Sequence, residues 1–179
     1  MRTAKPHLAA VYIFCLALVS ILAITGVPEL AHWSFNPVYN LRPFVLIFSN
    51  TTEYILNVIL FVPFGFLLPL NWKRLERWYL TFFSGFFLSM SIEVSQLFNN
   101  RVTDIDDLTM NTVGTMVGYL IFLLVKRMIP GSSVFSVGYK NHWKWEPFFC
   151  FCFAWISMLA FKNFLAIWFF GSSTPMTFR

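Results

Sequence analysis

From Glu93 to Gly118 the chain reads EVSQLFNNRVTDIDDLTMNTVGTMVG, between long apolar runs on either side. The whole protein has only eight acidic residues, and four of them fall here, with Arg101 in their midst. Asp104, Asp107, Asn111, Gly114 and Gly118 are spaced 3, 4, 3 and 4 apart, which on a helix lines them up as one stripe. Polar groups on one face of an apolar helix are expensive to keep in a membrane and therefore point to a site.

The membrane setting follows from composition. Apolar residues make up 58% of the chain and charged residues 12%, and 23 of the 179 residues are Phe. A soluble domain of this size, about a quarter of whose residues are ordinarily charged, has no room to bury so much apolar surface. Apolar runs near twenty residues match the hydrocarbon thickness of a bilayer. The expected fold is all-α: one polytopic bundle of about five spans, near residues 8–24, 54–70, 78–98, 108–129 and 147–170. Pro130, Gly131, Ser132 and Ser133 end the fourth run, and Lys162 and Asn163 interrupt the fifth. Trp33 to Asn40 and the loop with Tyr139, Lys140, Trp143 and Lys144 carry the aromatic and polar mixture of a membrane interface. Arg2 and Lys5 precede a first run that is too long for a signal-peptide core and lacks a small-x-small cleavage site, so retention of that span is expected.

Orientation follows from the Lys and Arg residues. With the N-terminus in the cytoplasm, Arg2, Lys5, Lys73, Arg74, Arg77, Lys126, Arg127, Lys140 and Lys144 lie inside, against Arg42, Arg101, Lys162 and Arg179 outside. The bias predicts an outward C-terminus, and it reads the net charge of +5 as topology, with no nucleic-acid partner. Glu93 and Gln96 then occupy the outer turns of span three, Asp104, Asp107 and Asn111 the first turns of span four, and Asn57 a similar depth on span two. The short link from Asn99 to Thr103 makes spans three and four antiparallel neighbours. The ligand-binding candidates are Asn57, Glu93, Gln96, Arg101, Asp104, Asp107 and Asn111.

Simpler roles compete for these residues. Asp104 or Thr103 suits an N-cap, with Asp106 and Asp107 in the first turn, where the helix dipole favours negative charge. Glu93, near a helix C-terminus, opposes that dipole and suits an ion pair with Arg101. Gly114 and Gly118 form a small-xxx-small pair suited to helix packing, and Asn57, Pro63 and Gly65 suit a helix contact with a kink. Asp106, off the stripe, is expected to tolerate replacement by Asn. Cys15, Cys150 and Cys152 show no disulfide framework, and His7, His32 and His142 show no ligand spacing. Phosphate-loop, nucleophile-elbow and zinc-protease motifs are absent from the sequence.

Several short pieces, in order, resemble the VanZ-like family of small membrane proteins. They are Asn40, Leu41 and Pro43, then Asn57-Val-Ile-Leu-Phe-Val-Pro63-Phe-Gly65, Glu93-x-x-Gln96, Arg101-x-x-Asp104-x-x-Asp107 and Asn111-x-x-Gly114, together covering about residues 40–118. The family's namesake is similar to an accessory protein of low-level resistance to teicoplanin, a lipoglycopeptide acting on cell-wall precursors. The resemblance implies a multi-pass protein of the bacterial plasma membrane with an envelope role, and it brings no reaction with it. Three function classes remain open. A non-catalytic envelope factor would bind a membrane lipid, a lipid-linked cell-wall precursor or the lipoglycopeptide itself. A membrane enzyme acting on a lipid-linked phosphate or glycan would use Glu93, Asp104 or Asp107 as acid and base, or as ligands of a divalent cation, with Arg101 meeting a phosphate. A transporter is disfavoured by five spans, the lack of an inverted repeat and polar groups at the interface instead of the midplane.

Overall fold

Inside a bilayer every backbone N–H and C=O must find a partner within the protein, and an apolar run meets that demand as a helix. The computed structural model describes residues 4–26, 38–40, 51–98, 102–130 and 145–170. Among them the chain is an all-α bundle of five long helices: α1 (Ala4–Thr25), α2 (Thr51–Asn71), α3 (Trp78–Gln96), α4 (Ile105–Met128) and α5 (Glu146–Phe170). A 3₁₀ turn, Lys73–Glu76, joins α2 to α3. Helices α2 and α4 begin three residues before the expected apolar runs, because Thr51–Glu53 and Ile105–Asp107, polar but for Ile105, are already helical. Three segments are long and apolar enough to cross a membrane: His7–Thr25, Thr51–Asn71 and Ile105–Met128. Helix α3 is more polar, carrying Thr81, Ser84, Ser89, Ser91, Ser95, Glu93 and Gln96.

The bundle is built on a tight seam between α2 and α4. A Cβ on Gly114 would collide with the Val58 carbonyl, and one on Gly118 with the Val62 carbonyl. From the other side, a Cβ on Gly65 would strike the Thr115 carbonyl. The spacing of four on both helices, glycines against valine carbonyls, brings the two backbones together as small-xxx-small packing does. The lower part of the stripe is thus a packing surface. Helix α3 joins at Gly85, whose missing side chain admits that of Thr115. Helix α2 runs through both Pro63 and Pro69.

Phe14, Leu18 and Leu22 of α1, Phe61, Phe64 and Leu68 of α2, Leu88 and Ile92 of α3 and Ala154 and Met158 of α5 form the core. Large apolar side chains also cover the outside, among them Leu8, Tyr12, Phe87, Leu120, Leu124, Phe153 and Ile156. In water that surface would be a liability, whereas against acyl chains it costs nothing.

The end of the bundle bearing Lys73 and Lys126 is tied by polar contacts. Lys126 Nζ meets Glu76 at 2.7 Å, and the Tyr119 hydroxyl donates to the Glu76 carbonyl at 2.7 Å. Glu146 accepts from Trp72 Nε1 at 2.9 Å and pairs with His7 Nε2 at 3.1 Å. His7, without local ligand spacing in the sequence, therefore serves to hold the start of α5 against α1 and α2. All three cysteines are free thiols. The interfacial residues Tyr139, Lys140, Trp143 and Lys144, the terminal Arg2 and Arg179, and Arg42 lie outside the described residues, as does most of Trp33 to Asn40.

Candidate functional site

At the other end of the bundle, α4 starts from a cap. Asp104 has extended backbone and its Oδ1 accepts the Asp106 N–H at 2.9 Å. The capping role of Asp104 is therefore real. Its other oxygen, Oδ2, accepts from Asn40 Nδ2 at 3.2 Å. This contact accompanies a short parallel pairing of β1 (Val38–Asn40) with β2 (Val102–Asp104), in which Asn40 lies opposite Asp104.

Glu93, 6% exposed near the C-terminal end of α3, would be badly placed if its carboxylate met only the helix's own carbonyls. Instead, Oε2 accepts the Asp104 backbone N–H at 3.0 Å, while the Glu93 carbonyl accepts from Thr103 Oγ1 at 3.2 Å. The acid of one helix end thus satisfies the first orphan donor of the next. Arg101, its expected partner, lies outside the described residues, as do Leu41 and Pro43 of the motif.

The two adjacent aspartates point to successive turns of α2. Asn57 Nδ2 donates to Asp107 Oδ1 at 2.6 Å, and the Tyr54 hydroxyl donates to Asp106 Oδ2 at 2.7 Å. Asp106 is only 2% exposed. Asp106 is off the stripe, as expected, and the structure adds that it faces Tyr54 in a buried contact; an Asn there would still offer an amide oxygen to the Tyr54 hydroxyl. Removing that hydroxyl as Tyr54→Phe should cost about 1–3 kcal/mol, the worth of a buried hydrogen bond to a charged group. Thermal unfolding in detergent would register the loss, and an unchanged midpoint would deny the contact its importance.

Deeper in the layer, Asn111 Nδ2 donates to Ser89 Oγ at 3.0 Å, and Gln96 Nε2 donates to the Thr25 carbonyl at 3.1 Å. These contacts surround a cavity of about 440 Å³ lined by Ile24 and Thr25 of α1, Glu53 and Asn57 of α2, Ile92, Glu93 and Gln96 of α3, and Asp107 and Asn111 of α4. The volume suits a small ligand or a lipid head group. Asn57, Glu93, Gln96, Asp107 and Asn111, all read from the sequence, meet here. Asp104 does not line the cavity, since the cap and Asn40 occupy its oxygens. Thr25, Glu53, Tyr54 and Ser89 escaped the sequence reading. Glu53 and Tyr54 lie within one helical turn of Asn57, a signal that could have placed them. Thr25 and Ser89 are met only through the packing of α1 and α3.

The carboxylates named as metal candidates, Glu93, Asp104 and Asp107, turn largely to protein donors. Among the described residues no three His, Cys, Asp or Glu side chains gather as a metal-ligand set.

An all-α bundle with three helices long and apolar enough to cross a bilayer, and a polar cavity between the ends of α1, α2, α3 and α4, is the architecture of a membrane protein. A family model described as VanZ/LLP1 matches residues 9–126, and the chain belongs to that family. The match begins within α1 and ends within α4, so it reaches beyond the motif region at residues 40–118 and leaves α5 outside. Protein VanZ of Enterococcus faecium is 40% identical over 85 residues, 46% of this chain and 51% of that protein. The chain therefore spans about half the length of this curated relative. No solved structure matches it.

Proposed function

We propose that this VanZ-like protein is a bacterial envelope factor that lowers susceptibility to a lipoglycopeptide, teicoplanin, by binding a lipid or lipid-linked envelope molecule in the polar cavity. The observation carrying the reading is the cavity itself, in which residues of four helices converge on one polar layer. In this reading five spans cross the bacterial plasma membrane with the N-terminus inside, and the cavity lies at the outer leaflet, where cell-wall precursors and the antibiotic meet the membrane. Binding is favoured over catalysis by the engagement of Glu93 with the Asp104 N–H and of Asp104 with its own helix and Asn40. A carboxylate locked to a backbone donor holds a shape more readily than it exchanges a proton.

Two experiments test this. Expression in a susceptible host should raise the inhibitory concentration of teicoplanin more than that of vancomycin, which lacks a fatty chain; equal effects on both drugs would remove the outer-leaflet explanation. For orientation, a cysteine replacing Asn100 should react with a membrane-impermeant thiol reagent in intact cells of a cysteine-free variant, and one replacing Arg74 should not. The reverse pattern would put the cavity at the cytoplasmic face.

A further inference from the structure

The hydrogen bonds of the cavity wall are one-sided. Asn57, Gln96 and Asn111 each commit their NH₂ group to a protein acceptor: Asp107, the Thr25 carbonyl and Ser89 respectively. Two of these assignments are fixed by chemistry, because a carboxylate and a backbone carbonyl only accept. Among the described residues their own carbonyl oxygens, Asn57 Oδ1, Gln96 Oε1 and Asn111 Oδ1, receive no donor, and neither does the second oxygen of Asp107. Asn111 differs from the other two amides: the residue is 2% exposed and its Oδ1 is sealed off from solvent with no partner among the described residues, so it is not an oxygen that a ligand in the cavity can reach. Glu53, Glu93 and Asp107 add carboxylates to the same wall, and among the described residues no Lys or Arg lines it. Ile24, at the end of α1, and Ile92 supply an apolar side, and Ile24 is 67% exposed on the outside of the bundle.

We infer that the cavity takes the primary ammonium head of an amphiphile, with its N–H groups directed at the Asn57, Gln96 and Asp107 oxygens and the tail leaving past Ile24. This rests on the reading of the cavity as the ligand site and specifies the chemistry of what enters it. An ammonium offers three donors and a charge opposite to the wall. A phosphate or carboxylate offers acceptors to acceptors and is rejected for the same reason. An amine-headed membrane lipid and the side-chain amine of a lipid-tailed peptide share this chemistry.

The test uses the full chain in phosphatidylcholine nanodiscs, whose own head groups are trimethylated, with empty discs as the blank. Dodecylamine, dodecyltrimethylammonium and dodecyl phosphate are compared by thermophoresis. All three carry the same tail, and the two cations differ in their N–H groups. The amine should bind about tenfold or more tightly than its trimethyl analogue, as expected for charged hydrogen bonds made or missing, and the phosphate weakest. The preference should vanish in Asp107→Asn, whose new amide oxygen still accepts from Asn57 and so spares the fold. A lysophosphatidylethanolamine and an acylated lysyl peptide, as further arms, distinguish the lipid from the peptide source by which one competes. Equal binding of amine and trimethyl analogue, or a preference that survives Asp107→Asn, overturns the inference. If the preference is absent but Asp107→Asn still abolishes teicoplanin protection, the amine inference fails and the site reading stands. If Asp107→Asn alters neither, both fail.

Discussion

Replacing Gly118 by Val should leave little folded protein in the membrane. The added Cβ would overlap the Val62 carbonyl and press on the Phe66 amide nitrogen, and both are backbone atoms of a neighbouring helix. No flexible side chain stands there to move aside, so α2 and α4 would have to separate along their whole contact. Gly114→Val, one turn earlier against Val58, should act in the same way. Overpacking a core commonly costs about 1–3 kcal/mol, and a clash with rigid backbone belongs at or above the top of that range. Fluorescence-detected size exclusion of a tagged protein would show loss of the monodisperse peak for both variants. Alanine is informative as well, since the clash begins at Cβ: a Gly118→Ala protein as stable as the parent would refute the close approach of the two helices.

The second large effect concerns Glu93, where two substitutions separate shape from charge. In Glu93→Ala the Asp104 N–H, at the cap of α4, loses its acceptor, and the link between α3 and α4 loosens. Stranding a partly buried donor of this kind should cost about 1–3 kcal/mol. In Glu93→Gln the amide oxygen still accepts that N–H, so the fold should persist while the charge is gone. Thermal unfolding in detergent should therefore place Glu93→Gln near the parent and Glu93→Ala well below it. Two variants equally destabilised would mean that the charge of Glu93 holds the fold.

The sequence announced the bundle through its apolar runs, and the polar layer through four acidic residues packed into one short stretch. The stripe of Asp107, Asn111, Gly114 and Gly118 was legible because helical periodicity is local, as was its division into a polar upper part and a small-residue lower part. What escaped was set by packing between helices. Asp106 looked like a first-turn residue off the stripe with no partner of its own, yet the rotation of α4 against α2 places it beneath Tyr54. Asp104 looked like part of the ligand set because it continues the stripe, but the cap turns its side chain back toward its own helix and Asn40. The ion-pair reading of Glu93 falls on Arg101, outside the described residues, and the backbone N–H that the chain reversal brings to Glu93 was a partner no local pattern indicated. His7 met Glu146 across 139 residues, a distance that no local pattern encodes.

The central claim is that the cavity carboxylates act on a ligand, and teicoplanin susceptibility normalised to membrane abundance tests it most directly. Four strains suffice: parent, Glu93→Gln, Asp107→Asn, and Glu76→Gln, which removes an acid from the opposite end of the bundle. The account predicts that Glu93→Gln and Asp107→Asn lose protection at normal membrane levels, while Glu76→Gln keeps it. Protection that follows protein abundance alone across the four strains would contradict the account and reduce the polar layer to a structural joint.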